Sequence, residues 1–285
     1  MRKFFSSALA TAVCLGAVAA ASAVTTNARS GPVTIGSPAS GDQSLQQIIS
    51  STGATSVNAT TDQSNAAVFQ ANGSSVTSGF IQQFSTTASS DTIGMYNAAG
   101  QQAILYDGTS PPSNPNGIGP VNPGAQDTLS FASNGDLSVV VRNYSINGTS
   151  LFRLGYGNSA TLYPSFGKTF GFYITNGTQT YYSQDIKNPG NQPHFLAYQG
   201  NGTSTLSSAA AGSGPFGSSE YMFAFNDGSG SAFNNAVIAV TGISAAPNAS
   251  GFSAGAGSAV PEPASLLLLP LGIAGLALRK KLRVA

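Results

Sequence analysis

The sequence predicts a mainly β protein: a β-sandwich or jelly-roll-like single domain with short N-terminal helices, followed by a short apolar helix at the C-terminus. Three observations predict it. Only 7% of the 285 residues are charged, against about 25% in a typical soluble domain, so the Lys, Glu and Arg that favour helices are scarce. Phe 16 and Tyr 10 accompany Gly 34 and abundant Ser, Thr and Asn, the balance of strands separated by turns. Short apolar runs also recur between turn signals rather than at long helical spacing. The 41% hydrophobic content suffices to bury a core, which excludes disorder. The scarcity of Lys and Arg disfavours nucleic-acid binding, which neutralises phosphates with clusters of them.

Residues 1–23 read as a secretory signal. Arg2 and Lys3 supply a charged start, Ala8 to Ala20 an apolar run, and Ala21-Ser22-Ala23 a small-residue cleavage site at Ala21 and Ala23. That apolar run is shorter than the roughly 20 residues that span a bilayer. The chain's one cysteine, Cys14, lies inside it, so the mature chain is expected to carry no thiol and no disulfide. Residues 24–40 are rich in Thr, Ser, Gly and Pro and read as a flexible segment. The main β domain is expected over 41–244. Asp42 or Ser44 caps a short helix bearing Leu45, Ile48 and Ile49. Val76, Phe80, Ile81 and Phe84 suggest a second helix by the same spacing.

From there the period shifts to two. Thr92 to Tyr96 and Gln101 to Tyr106 flank the turn Asn97-Ala98-Ala99-Gly100. Thr128 to Ala132 and Leu137 to Val141 flank Ser133-Asn134-Gly135-Asp136, an Asn-Gly hairpin signal. Residues 108–126 hold five prolines and read as a long loop. Further strands are expected at Leu151 to Tyr156, Thr169 to Thr175, Gln179 to Ser183, His194 to Tyr198, Tyr221 to Asn226 and Ala236 to Ile243. Residues 200–219 read as a Gly/Ser/Ala loop, and 245–259 as a Gly/Ala/Ser linker.

The C-terminus is the most specific stretch. Val260-Pro261-Glu262-Pro263-Ala264 precedes an apolar run, Leu266 to Leu278, closed by the basic residues Arg279, Lys280, Lys281 and Arg283. Residues 260–285 resemble the PEP-CTERM sorting signal of Gram-negative bacteria. The resemblance implies recognition by an exosortase, a membrane enzyme that would cut near Pro261, Glu262 and Pro263 and pass the protein outward, often toward exopolysaccharide. The stretch Ala264 to Leu278 is 15 residues, or about 22 Å as a helix. That falls short of the roughly 30 Å hydrocarbon core, and Pro270 interrupts it. It is expected to make a transient membrane contact, with its basic tail held in the cytoplasm.

Between Val24 and Ala259 lie five basic and nine acidic side chains, a net charge of −4 where the whole chain carries +1. The body is thus weakly acidic and mostly neutral-polar. His194 is the one histidine, so a His-based zinc cluster is excluded. Its strand setting suggests a hydrogen-bonded structural role. Gly251-Phe252-Ser253-Ala254-Gly255 matches the nucleophile elbow by letter, but it sits in the linker rather than between a strand and a helix. Glu220 with Asp227 or Asp185 is the weak carboxylate pair that a glycosidase reading would need.

Residues 170–242 resemble an uncharacterised domain family of secreted proteins. The resemblance rests on Phe170-Gly171-Phe172-Tyr173-Ile174, His194-Phe195-Leu196-Ala197-Tyr198, and Tyr221 to Phe225 leading to Ala236 to Val240. It implies a calcium-like loop between the last two strands, where the family carries acidic residues. Here that loop is eroded. Asn226, Asp227, Asn234 and Asn235 keep one carboxylate among them, and calcium affinity falls with ligand charge. No cofactor is expected unless calcium occupies that loop. The function expected is an exported, non-enzymatic envelope or exopolysaccharide-matrix protein, held at the inner membrane and then delivered to the cell surface or matrix. The alternative is a carbohydrate- or calcium-dependent binding module with its site at 225–236.

Overall fold

The computed structural model describes residues 31–82, 91–107, 126–142, 161–208, 212–249 and 251–252. A single short helix, α1 (Leu45–Ser51), precedes the strands. Ser44 caps it in a reciprocal capping box: Gln47 N–H donates to Ser44 Oγ at 3.3 Å and Ser44 N–H to Gln47 Oε1 at 2.8 Å. Seven residues do not make a stable helix alone. Burial of Leu45, Ile48 and Ile49 against the sheet below supplies the rest.

The strands are β1 (Val68–Ala71), β2 (Ser75–Gln82), β3 (Thr92–Tyr96), β4 (Gln102–Asp107), β5 (Gln126–Phe131), β6 (Leu137–Arg142), β7 (Thr161–Tyr163) and β8 (Thr169–Thr175). They continue with β9 (Thr180–Tyr182), β10 (Phe195–Gln199), β11 (Thr205–Ser208), β12 (Gly212–Pro215), β13 (Glu220–Phe225), β14 (Ala236–Thr241) and β15 (Ile243–Ala245). One sheet runs β15-β1-β8-β3-β4, with β9 also paired to β8; the other runs β10-β13-β14-β2-β5-β6-β7. Every pairing among the described residues is antiparallel.

The inner faces interdigitate as a β-sandwich. Phe69 on β1 meets Tyr221 and Phe223 on β13 at ring distances of 5.2 and 4.9 Å. Phe172 on β8 meets Phe223 at 4.6 Å, and Phe131 on β5 stacks on Phe170 at 5.7 Å. This is where the aromatic content goes: rings from both sheets fill one continuous core. A second cluster covers the outer face of the seven-stranded sheet, where α1 and the β11–β12 hairpin lay Ile48, Ile49, Leu206 and Phe216 on Leu196, Met222 and Ala239. A third, smaller cluster lies on the outer face of the six-stranded sheet, around Val68, Tyr96, Tyr173 and Phe252.

Three expectations need correction. The spacing of Val76, Phe80 and Ile81 is not helical but belongs to β2. Val76 and Phe80 lie an even number apart and share the inner face, and a register shift against β14 accommodates Ile81. Phe84 lies outside the described residues. The run Ala236 to Ile243 is two strands, because Gly242 at φ +83 ends β14 and passes the chain to β15 in the other sheet. The Gly/Ser/Ala stretch 200–219 contains the β11–β12 hairpin, pinned by Leu206 and Phe216. The expected strand Leu151 to Tyr156, most of the loop at 108–126, and residues 1–30 lie outside the described residues. Within the stretch expected to be flexible, Val33 exchanges hydrogen bonds with the Gln63 side chain and Gly36 N–H donates to the Ser231 carbonyl at 2.8 Å.

Candidate functional site

The four residues nominated from the eroded loop do come together, between the end of β13 and the start of β14. All four are buried, and their polar atoms bond within the fold. Asn226 Oδ1 accepts from Gly228 N–H at 2.8 Å, while its Nδ2 donates to the Gly230 carbonyl. Asp227 Oδ1 accepts from the backbone and hydroxyl of Ser229, as an Asx turn does. Asn234 Nδ2 reaches the Gln43 carbonyl at 2.9 Å, tying the loop to the α1 entry, and Asn235 Nδ2 donates to Ser229 Oγ at 3.0 Å. Between them, Phe233 takes φ +52 and drives its ring into the cluster under α1. The strain of a left-handed non-glycine residue is offset by that burial.

His194 stands beside this loop. Its Nδ1 lies 3.0 Å from the Asn226 carbonyl oxygen, which only accepts, so Nδ1 carries the proton. The ring stacks on Tyr181 at 3.8 Å and 17°. Burial lowers its pKa from the usual imidazole value, against the Asn226 carbonyl and the charges of Asp185 and Asp227, which act in the opposite sense. From the neighbouring hairpin, Asn176 Nδ2 donates to the Asp227 carbonyl at 2.9 Å. Tyr181 was not singled out from the sequence. It and Asn176 are brought in by the hairpin of β8 with β9, which the expected strands Thr169 to Thr175 and Gln179 to Ser183 announce.

The nominated carboxylates separate. Glu220 opens β13 and accepts from Gly217 N–H at 2.8 Å; Asp227 lies beyond its far end. At about 3.4 Å per residue, the strand alone sets them about 17 Å apart, beyond the roughly 5–9.5 Å of glycosidase pairs. Asp185 shares the neighbourhood of His194 with Asp227. Among the described residues, no group of three or more His, Cys, Asp or Glu side chains is placed to hold a metal ion.

A further carboxylate is buried between the sheets. Asp127 on β5 is fully enclosed, its Oδ2 is 3.5 Å from Ser78 Oγ, and Ser78 Oγ is 2.8 Å from the Tyr106 hydroxyl. Among the described residues its Oδ1 has no hydrogen-bond partner. Burial pushes both the Asp127 carboxyl and the Tyr106 phenol well above their ordinary ranges. The alternation of Asp127, Leu129 and Phe131 along β5 carries the signal for this placement. The strand expected from Thr128 began one residue too late to include it.

A polar cleft of about 360 Å³ opens where residues 246–249 cross Gln70 and Thr169. None of its lining residues carries a charge.

The sorting residues Pro261, Glu262 and Pro263, the basic residues Arg279, Lys280, Lys281 and Arg283, and the signal-cleavage residues Ala21 and Ala23 lie outside the described residues. No helix among the described residues is long and apolar enough to cross a membrane. The family model of the PEP-CTERM protein-sorting motif matches residues 259–281. No curated protein and no solved structure matches the chain, so the resemblance of residues 170–242 to a secreted β-domain family finds no support. The chain carries a PEP-CTERM sorting motif, which marks it for export to the cell envelope and for recognition by an exosortase-type processing enzyme.

Proposed function

We propose that this is a non-enzymatic envelope or exopolysaccharide-matrix protein, delivered to the cell surface or matrix once an exosortase-type enzyme has cut near Pro261 to Pro263. The observation that carries the reading is the sorting motif at residues 259–281, at the end of a β-sandwich body. Two features of the body support it. Glu220 and Asp227 stand apart and each accepts from its own loop, and the one histidine is stacked and hydrogen-bonded. The surface carries few charges and many hydroxyls and amides, which suits residence among polysaccharide hydroxyls.

Intact mass and cell fraction test this, in cells with and without the sorting enzyme. The expected product ends near Pro263, sits in the matrix or medium, and disappears when the enzyme is deleted. A mass retaining Leu266 to Ala285 in the inner membrane of both strains overturns the reading. A hydrolytic activity on native exopolysaccharide that is lost on Glu220→Gln would overturn its non-enzymatic part.

We read the loop at 225–236 as scaffold, a reading supported by side chains that bind one another and the α1 entry. Millimolar calcium is therefore expected to leave the Tm of the folded body unchanged. A ligand that binds only the native state would raise it, and such a rise would favour the binding-module alternative.

A further inference from the structure

After β15, at the edge of the six-stranded sheet, the chain does not leave the body. Ala246 N–H donates to the Val68 carbonyl at 2.8 Å, and the segment crosses the outer face of the sheet. It ends with Phe252 buried against Tyr96, ring centroids 5.9 Å apart, while Gln184 Nε2 donates to the Phe252 carbonyl. Gly171 makes room for this arrangement, because a Cβ there would collide with the Tyr96 ring. The tether to the sorting motif thus starts on the outer face of a sheet, and not at the strand end where β15 stops.

Ala264, where the apolar stretch begins, lies twelve positions after Phe252. A Gly/Ser-type chain of that length has a root-mean-square span of about 19 Å and a fully extended reach of about 40 Å. A folded body of about 220 residues has a radius of gyration of about 17 Å. A tether that short, rooted on one face, turns that face toward the membrane. The face it turns is suited to the position. Ile186 is 50% exposed, and the exposed Lys187 holds its ammonium 5.4 and 5.7 Å from the Tyr96 and Tyr182 ring centroids. Tyrosine and lysine are side chains that settle at the headgroup level of a bilayer, and here half-buried Tyr182 and exposed Lys187 stand over the buried Tyr96 ring. The opposite outer face is covered by α1 and the β11–β12 hairpin.

We propose that the outer face of the six-stranded sheet around Tyr182, Ile186 and Lys187 is a membrane-contact surface, oriented by the Phe252 strap and bearing on lipid headgroups while the chain awaits processing. The proposal rests on the reading of residues 260–285 as a membrane-held sorting segment, and the test separates the two. The full chain carrying Cys14→Ser is placed in vesicles of phosphatidylethanolamine and phosphatidylglycerol. An environment-sensitive fluorophore is attached at Ile186→Cys or, on the opposite side, at Ser213→Cys. The expected result is a blue shift and quenching by nitroxide-labelled lipids at Ile186→Cys and neither at Ser213→Cys. Phe252→Ala should abolish the contrast. So should insertion of about twenty Gly/Ser residues after Phe252, which frees the tether without touching the fold. Equal quenching at both sites, or none at Ile186→Cys in chains that float with the vesicles, overturns the membrane-contact surface alone. Failure of the chain to float overturns the membrane-held reading and the proposal with it.

Discussion

Asp127 and His194 give the domain opposing responses to pH. The Asp127 carboxyl keeps its proton in the folded state to a higher pH than in the unfolded chain. Its contribution is therefore complete below about pH 4 and is lost as pH rises through the raised folded value. Asp127→Asn removes that ionisation while keeping the shape. The variant is expected to lose this decline and to match or exceed the parent near neutral pH in urea unfolding. A variant with the same pH slope as the parent would refute the assignment. His194 works the other way, because burial lowers its folded pKa. Its contribution is intact above about pH 6.5 and fades as pH falls through the lowered value, where the unfolded chain binds the proton more readily. His194→Gln should flatten the acid side of the stability profile only.

At the scale of elements, the joints between strands and helix carry the cost of mutation. Gly242 stands at φ +83 with Ser75 O only 3.1 Å from where a Cβ would lie. Gly242→Ala is expected to cost about 1–2 kcal/mol from the left-handed backbone alone, read as a lower urea midpoint. Ser44→Ala removes one half of the capping box and should cost about 1 kcal/mol. The same elements show what local pattern conveys. The helix at Leu45, with Asp42 or Ser44 as its cap, and the hairpins around Asn97–Gly100 and Asn134-Gly135 were legible, because capping and turn residues act within a few positions of themselves; the structure chose Ser44. The helical spacing of Val76, Phe80 and Ile81 misled, since residues four apart share a face in a strand as well as in a helix. The register shift that accommodates Ile81 depends on β14, distant in sequence. Likewise Leu206 and Phe216 look stranded in a polar loop until α1 and the seven-stranded sheet give them a surface.

For the molecule as a whole, the asymmetry of its two outer faces matters most. One is roofed by a helix and a hairpin over its own apolar cluster. The other is crossed by a seven-residue strap that ends on Phe252. Phe252→Ala should leave the central core intact, since Phe252 belongs to the small outer cluster and not to the one between the sheets. The strap should then become sensitive to protease between Pro247 and Phe252 while the sandwich remains protected. Limited proteolysis followed by mass analysis checks this, and an unchanged digestion pattern would show that Phe252 does not hold the strap.

The sequence by itself determined the address and the architecture. A sorting motif is read as a linear string, Pro261-Glu262-Pro263 with its apolar run and basic end, and strand content follows from composition, alternation and turn chemistry. Only the tertiary structure decided which residues meet. It buried Asp127 beside Ser78 and Tyr106, set His194 on Tyr181, and laid Phe252 across the outer sheet. The physical reason is that each of these contacts depends on pairing between strands far apart in the chain, and that information is not carried by any short stretch of residues.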